Sequence, residues 1–506
     1  MSALAIVTAL VYLGSVLVAG GCPVLDTPTK SSHRLTKRTQ YLVHGLLWDA
    51  GEKAVAEMYA GHINIRTYPD GWPNSTAPEN QGKQHVANTF FWFVPALPPA
   101  SPNASLVLWL QGGPGSSSMI GLLEEMGPFE INNATGALRR RKETWSRGMS
   151  LLFVDNPVGT GYSFVGAGKE GNVPLTRRLE DDEALPAYHE GYPTNQPAIS
   201  RDLISFLDKF YAVFPEQSSR PLYLAGESYA GKYVPELAAA ILARNAAAST
   251  SNERKLPLEG IAIGDGLTDP TTQIKAHAPL GLALGLLTGS QARVVDTFAQ
   301  DATALAGSKR WVDATVARTR LFEYVANVTG GVNAYDVRKG STQTDHSTLD
   351  RFLSREDVRR AINVCRAATQ IQDGVRRVGD EGCPPAFHAR SPFIKTLLTA
   401  DVMKSAVPAI LNILNSDSCR VLLFQGQFDF RDGPLGQTEW IENLDWDGAA
   451  GYRDAERVVW NVGDEVVGYV TEYRQLRRVV LTRAGHMAPG DQTTITRLMM
   501  ERLMKV

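Results

Sequence analysis

The chain is 506 residues long, 43% hydrophobic and carries a formal charge of −2. That length is enough for a large core, and the near-neutral charge gives no reason to expect nucleic acid or an anionic surface as a partner. No Gly/Ser- or Pro-rich linker, internal repeat or low-complexity tract divides it, so one large unit with an insertion is expected rather than a string of domains.

Ala3 to Gly20 form an apolar run ending in the small residues Val18-Ala-Gly-Gly21, which reads as a signal peptide over residues 1–21. Thr8, Tyr12, Gly14 and Ser15 dilute the run and weigh against an uncleaved anchor. No later segment is apolar enough to span a bilayer, so the secretory pathway is expected, with a secreted or lysosomal product. Sequons at Asn74, Asn103, Asn133 and Asn327 would be glycosylated on that route. Residues 22–60 read as an N-terminal arm or pro-like segment, with Lys37-Arg38 as a dibasic pair that is either a cleavage point or, more commonly for such pairs, exposed surface. Of the 4 cysteines, Cys365 and Cys383 are expected to pair, a closure of about 3 kcal/mol. Cys419 is then unpaired or a small buried hydrophobe, and Cys22 either leaves with the signal or sits just after it.

From Ile63 onward, short β-rich runs alternate with turn clusters: Phe90 to Val94, Leu106 to Leu110, Leu151 to Val154, Leu222 to Ala225, Gly260 to Ile263, Val421 to Phe424 and Val479 to Thr482. Helical patterns lie between most of the later runs, the mark of an α/β fold with a mostly parallel sheet. The basic cluster Arg139-Arg-Arg-Lys142 reads as a solvated loop. Gly166 to Pro197 is charged, rich in Gly and Pro, and reads as a mobile loop. The run Leu222 to Ala225 leads into Gly226-Glu-Ser-Tyr-Ala230, and a helix-forming stretch follows from Glu236 to Ala248. This has the form of a nucleophile elbow, G-x-S-x-G with Ala230 in the last place, and it raises Ser228 above the sheet edge near a helix N-terminus.

Thr271 to about Asp350 is mainly helical pattern between two core strands and is read as a cap. The core then divides into residues 61–270 and 351–506. Leu422-Leu-Phe-Gln-Gly-Gln-Phe-Asp-Phe430 is a strand running into a turn that carries Asp429, and Val479-Val-Leu-Thr-Arg-Ala-Gly-His486 is a strand whose loop presents His486. Ser228, Asp429 and His486 follow the nucleophile–acid–base order of α/β-hydrolases. Serine needs an imidazole to take its proton, and the imidazole needs a carboxylate to fix its tautomer. Asp155 lies past a strand too, but before the serine, in the wrong order.

Longer strings carry a resemblance. Phe90-Phe-Trp-Phe93, Trp109-Leu-Gln-Gly-Gly-Pro-Gly-Ser-Ser-Ser118, Val154-Asp-Asn-Pro-Val-Gly-Thr-Gly-Tyr-Ser-Phe164, Gly226-Glu-Ser-Tyr-Ala-Gly-Lys-Tyr-Val-Pro235, Ala262-Ile-Gly-Asp-Gly266 and Ala484-Gly-His-Met-Ala-Pro489 occur in order, with Trp440, Trp446 and Trp460 at matching spacing. Over roughly residues 40 to 504 the chain resembles the serine carboxypeptidases, and among them the animal vitellogenic-carboxypeptidase-like branch. The resemblance implies an α/β-hydrolase fold with a helical cap, peptide C-termini as substrate, and no cofactor or metal. It implies an oxyanion hole from the N–H groups of Gly113 and Tyr229, and a site for the substrate carboxylate at Gln111, the Gly112 N–H, Glu125 and Glu227. Two glutamates bind a carboxylate only when protonated, as donors. Asp265 is implied to be structural, and Ser116 stands where many relatives have a disulfide cysteine. An esterase or acyltransferase of the same fold is a second reading, against which the two glutamates weigh, because an ester offers no carboxylate. A non-catalytic binding protein is a third, against which the intact triad weighs.

Overall fold

The computed structural model describes residues 38–54, 56–68, 85–99, 103–167, 191–248, 254–340, 345–365, 368–372, 375–379 and 386–505. The expected signal peptide, Lys37, Cys22, Asn74, Cys383 and most of the 166–197 loop lie outside these residues. Eleven strands make the main sheet: β1 (Tyr59–Thr67), β2 (His85–Val94), β3 (Leu106–Leu110), β4 (Ser150–Val154), β5 (Phe164–Ala167), β6 (Leu222–Glu227), β7 (Leu258–Gly264), β8 (Arg420–Gly426), β9 (Val458–Val462), β10 (Glu465–Tyr473) and β11 (Leu476–Leu481). Their order is β1-β2-β4-β3-β6-β7-β8-β11-β10-β9, and β5 pairs with β2. From β4 to β11 the neighbours run parallel; both margins are antiparallel.

The alternation of side chains along each strand builds two cores. Phe91, Phe93, Leu108, Leu110, Leu152, Leu224, Ile261 and Leu423 face one layer, which includes the helices α1 (Gln196–Val213) and α2 (Ala230–Ala247). Phe90, Trp92, Val107, Trp109, Phe153, Tyr223, Ala262 and Leu422 face the other. Strands buried on both faces read as continuous apolar runs, which is why the central strands stand out in the sequence. The margins do not: β9 is largely exposed, and neither β1 nor the β9–β10 hairpin was anticipated.

Between β7 and β8 lie the helices α3 (Gly289–Gly307) and α4 (Trp311–Val328). Their shared face is small and apolar, with Val295, Ala299, Ala302 and Ala306 against Ala314, Ala317, Leu321 and Val325. The helices Ser347–Ser354, Glu356–Ala361 and Val407–Leu414 also fall between these strands, so the insertion in the sheet order continues past residue 350. Arg139 does not lie in a loop: it belongs to the strand Leu138–Arg140, which pairs with Phe129–Ile131 in a small hairpin, and its side chain meets Glu130 at 2.7 Å. Arg38 lies over the Tyr59 ring at 4.5 Å and pairs with Glu216 at 3.0 Å. Cys365 is disulfide-bonded and Cys419 is free and buried. Asn103, Asn133 and Asn327 are exposed.

Candidate active site

Ser228 stands between the end of β6 and the start of α2, and turning the chain so sharply forces its φ to 62°. A non-glycine residue there is strained and must be held by its surroundings. Its N–H donates to the Gly264 carbonyl at 3.0 Å, and its own carbonyl accepts from the N–H of Leu267 at 2.8 Å and of Gly231 at 2.9 Å. A Cβ on Gly226 would sit 2.3 Å from the Leu110 oxygen and 2.7 Å from the Ala230 Cβ. One small side chain, that of Ala230, fills the elbow, so the departure from G-x-S-x-G is accommodated.

Asp429 and His486 follow the C-terminal ends of β8 and β11, on the same sheet edge. His486 Nδ1 lies 2.9 Å from Asp429 Oδ2, and both side chains are buried. Asp429 is aimed by the N–H groups of Arg431 (2.7 Å) and Asp432 (3.2 Å). The backbone N–H of His486 donates to the Tyr335 carbonyl at 2.7 Å, and the Tyr335 ring lies edge-on to the imidazole at 4.8 Å. Its Nε2 has no hydrogen-bond partner among the described residues, and the ring lines a cavity of about 310 Å³ together with Ser228, Gln111, Gly112, Gly113 and Glu227.

Asp265, read from the resemblance as structural, lies closer to this pair than expected. Ligand-type atoms of Asp265, Asp429 and His486 all fall within 4.8 Å of one another. One Asp265 oxygen accepts from the Gly426 N–H at 2.9 Å. Burial first, and the charge of Asp429 second, hold its pKa well above the usual carboxylate range, and its other oxygen has no hydrogen-bond partner among the described residues. The raised pKa favours the neutral acid, which removes one negative charge beside Asp429 and makes the three groups a poor set of metal ligands.

Gln111 joins the second group. Its Nε2 reaches Glu227 at 2.6 Å and Glu125 at 3.4 Å, while its Oε1 accepts from Trp109 at 2.8 Å. Both glutamates are buried. Burial pushes Glu125 up to about 7, and burial plus the charge of Glu125 holds Glu227 well above its ordinary range. Glu227 lines the cavity; Glu125 sits behind it. A Cβ on Gly112 would come within 2.6 Å of Ser228 Cβ and of the Tyr229 nitrogen, so only glycine lets this turn approach the serine. The N–H groups of Gly113 and Tyr229 have no acceptor among the described residues. Tyr229 is anchored from behind by its hydroxyl, which donates to Asp401 at 2.7 Å.

The sequence reading passed over Tyr335, His346, Arg390, Lys395 and Arg431, which also line the cavity. They come from the insertion and from the turn after Asp429, and no spacing marks them. Only Arg431, adjacent to a motif, carried a usable signal.

The sheet order, with Ser228, Asp429 and His486 at the ends of parallel strands, is that of an α/β-hydrolase. The serine carboxypeptidase family profile matches residues 52–506. The chain is 33% identical over 467 residues to a probable serine carboxypeptidase CPVL of Homo sapiens, covering 90% of this chain and 86% of that protein. It is 31% identical over 417 residues to a vitellogenic carboxypeptidase of Aedes aegypti, covering 81% and 78%. Its fold is similar to that of Kex1(delta)p, a prohormone-processing carboxypeptidase from Saccharomyces cerevisiae, at a TM-score of 0.74 and 24% identity over 92% of this chain and 96% of that one. This chain belongs to the serine carboxypeptidase family.

Proposed function

We propose that the protein releases single residues from the C-termini of peptides through an acyl-enzyme on Ser228, at mildly acidic pH within the secretory pathway. The Ser228 hydroxyl attacks the last peptide carbonyl while His486 Nε2 takes its proton, and Asp429 fixes the imidazole tautomer through Nδ1. The N–H groups of Gly113 and Tyr229 receive the oxyanion, a contribution of about 3 to 4 kcal/mol per donor in comparable sites. His486 returns the proton to the departing amino acid, and water then hydrolyses the ester by the same route. The Asn74, Asn103, Asn133 and Asn327 sequons would carry glycans on this route. Among the described residues no helix is long and apolar enough to cross a membrane.

The observation that carries the exopeptidase reading is the buried Gln111–Glu125–Glu227 group beside Ser228. In its protonated form it donates to a substrate carboxylate, and an internal peptide bond or an ester has no carboxylate to offer. Two measurements test this: labelling by a fluorophosphonate, and digestion of one peptide as its free acid and as its C-terminal amide. Labelling at Ser228 with cleavage of the free acid only is expected. Equal cleavage of the amide would transfer the assignment to an esterase or a less selective acyl hydrolase.

A further inference from the structure

The cavity wall has an unbalanced charge. Arg390, Lys395, Arg431 and His346 line it, whereas Glu227 is the one acidic residue on the wall. Arg390 and Lys395 are exposed and make no ion pair among the described residues. Arg390 Nη2 touches His346 Nε2 at 3.1 Å, and the other nitrogen of that ring already meets Glu124 at 2.8 Å. Arg431 lies over the rings of Phe322 at 4.5 Å and Tyr335 at 5.0 Å. The carboxylates near it are engaged elsewhere, Asp429 by His486 and Asp432 by Arg318 at 3.3 Å.

Like charges gathered on a small concave surface repel one another, and that repulsion is relieved by an anion from the ligand. The α-carboxylate of a peptide supplies one such charge, and on the function proposed above it goes to Gln111 and the glutamate pair. The cations come from segments other than the turn that carries Gln111. The Ser391 N–H donates to Gly115 and the Ser117 N–H to Ala389, each at 2.8 Å, which sets the 390–395 segment along the outer side of the Gly113–Ser117 turn. Arg431 enters from the turn after Asp429. A second and third negative charge on the substrate therefore has partners waiting for it.

We propose that this cleft selects peptides with acidic side chains at the two residues flanking the scissile bond, held by Arg390, Lys395 and Arg431. The inference rests on the carboxypeptidase reading and adds the substrate class. A charge-assisted hydrogen bond corresponds to roughly ten- to a hundredfold in kcat/KM.

N-acylated dipeptides in which each position is Glu, Leu or Lys test it at about pH 6, where a side-chain carboxyl is ionised. Each is run as free acid and amide, on the wild type and on Arg390→Gln, Lys395→Gln and Arg431→Gln. The expected result is Glu over Leu by about tenfold or more, Lys lowest. That ratio should shrink in the variants and at about 1 M salt, where charges are screened beyond about 3 Å. A Glu/Leu ratio near one, or Lys preferred, overturns the acidic-substrate proposal while leaving the carboxypeptidase reading intact if free acids alone are cut. A ratio unchanged in all three variants also overturns it. Amides cut as fast as acids overturn the carboxypeptidase reading, and the side-chain ranking still decides this one. No hydrolysis of any dipeptide overturns both.

Discussion

Ser228 tolerates its left-handed backbone because three backbone hydrogen bonds hold it there, and its value lies in the one atom this exposes to the cavity. Ser228→Ala should lower kcat on the order of 10⁶-fold, His486→Ala by a similar amount and Asp429→Ala somewhat less. Single-turnover kinetics and fluorophosphonate labelling check this, with unchanged circular dichroism as the folding control. Asp265 invites a sharper comparison. It accepts a hydrogen bond from the Gly426 N–H, and burial beside Asp429 favours its neutral form. Asp265→Asn keeps both, so kcat/KM should stay within a few-fold of wild type. Asp265→Ala leaves the buried Gly426 N–H without its acceptor, a loss of about 1–3 kcal/mol, visible in thermal unfolding. Equal behaviour of the two variants would contradict the proton assignment.

Among the elements, α3 and α4 stand in the insertion between the strands that lead to Ser228 and Asp429, and the residues that follow them reach the site directly: Phe430 and Arg431 each donate an N–H to the Ala334 carbonyl, and Tyr335 contacts His486. We propose that this insertion caps the cleft, and a cap there would admit chain ends and exclude folded surfaces. Mass spectrometry of a folded protein substrate should therefore show C-terminal trimming without internal cuts. The elements that position the triad were the legible ones, because Leu106–Leu110, Leu222–Glu227 and Arg420–Gly426 are apolar on both faces and their turns bear compact motifs. Ser228, Asp429 and His486 fall where the strand ends put them. The β9–β10 hairpin was invisible because exposed residues such as Val458, Val459 and Val462 obey no burial period. Arg390, Lys395 and His346 were invisible for another reason: long side chains on separate segments meet only in three dimensions. Sequence order cannot reveal that Asp265 lies within 4.8 Å of Asp429 and His486.

At the scale of the whole molecule, buried acids set the dependence of stability on pH. Burial pushes Glu125 and Asp155 up to about 7 and Asp202 up to about 6, and holds Glu227 and Asp265 well above their ordinary range. Unfolded, such groups titrate near 4 (roughly 3.9 to 4.3), so between that pH and about 7 the folded protein holds protons that the unfolded chain has released. Stability then falls as pH rises through this window. His277, whose pKa burial lowers, acts in the opposite sense below its ordinary 6.5, but it is one group against several. The unfolding temperature should be higher at about pH 5 than at about pH 8; the reverse order would show that these carboxyls are ionised in the folded state.

The most direct test of the central claim follows the same protons into catalysis. With Glu125 raised to about 7 and Glu227 also held well above its ordinary range, the pair is protonated at acidic pH and donates to the substrate carboxylate. Above that range a doubly ionised pair repels the carboxylate, on the order of 4 kcal/mol at 4 Å and an effective dielectric of 20. kcat/KM measured from pH 4 to 8 for a peptide acid and for its ester analogue should therefore diverge. The acid should peak at mildly acidic pH and fall toward and beyond neutrality, mainly through KM. The ester should hold its rate, and Glu227→Gln should flatten the fall for the acid. Superimposable profiles for acid and ester, unchanged by Glu227→Gln, would contradict recognition of the peptide C-terminus by the glutamate pair.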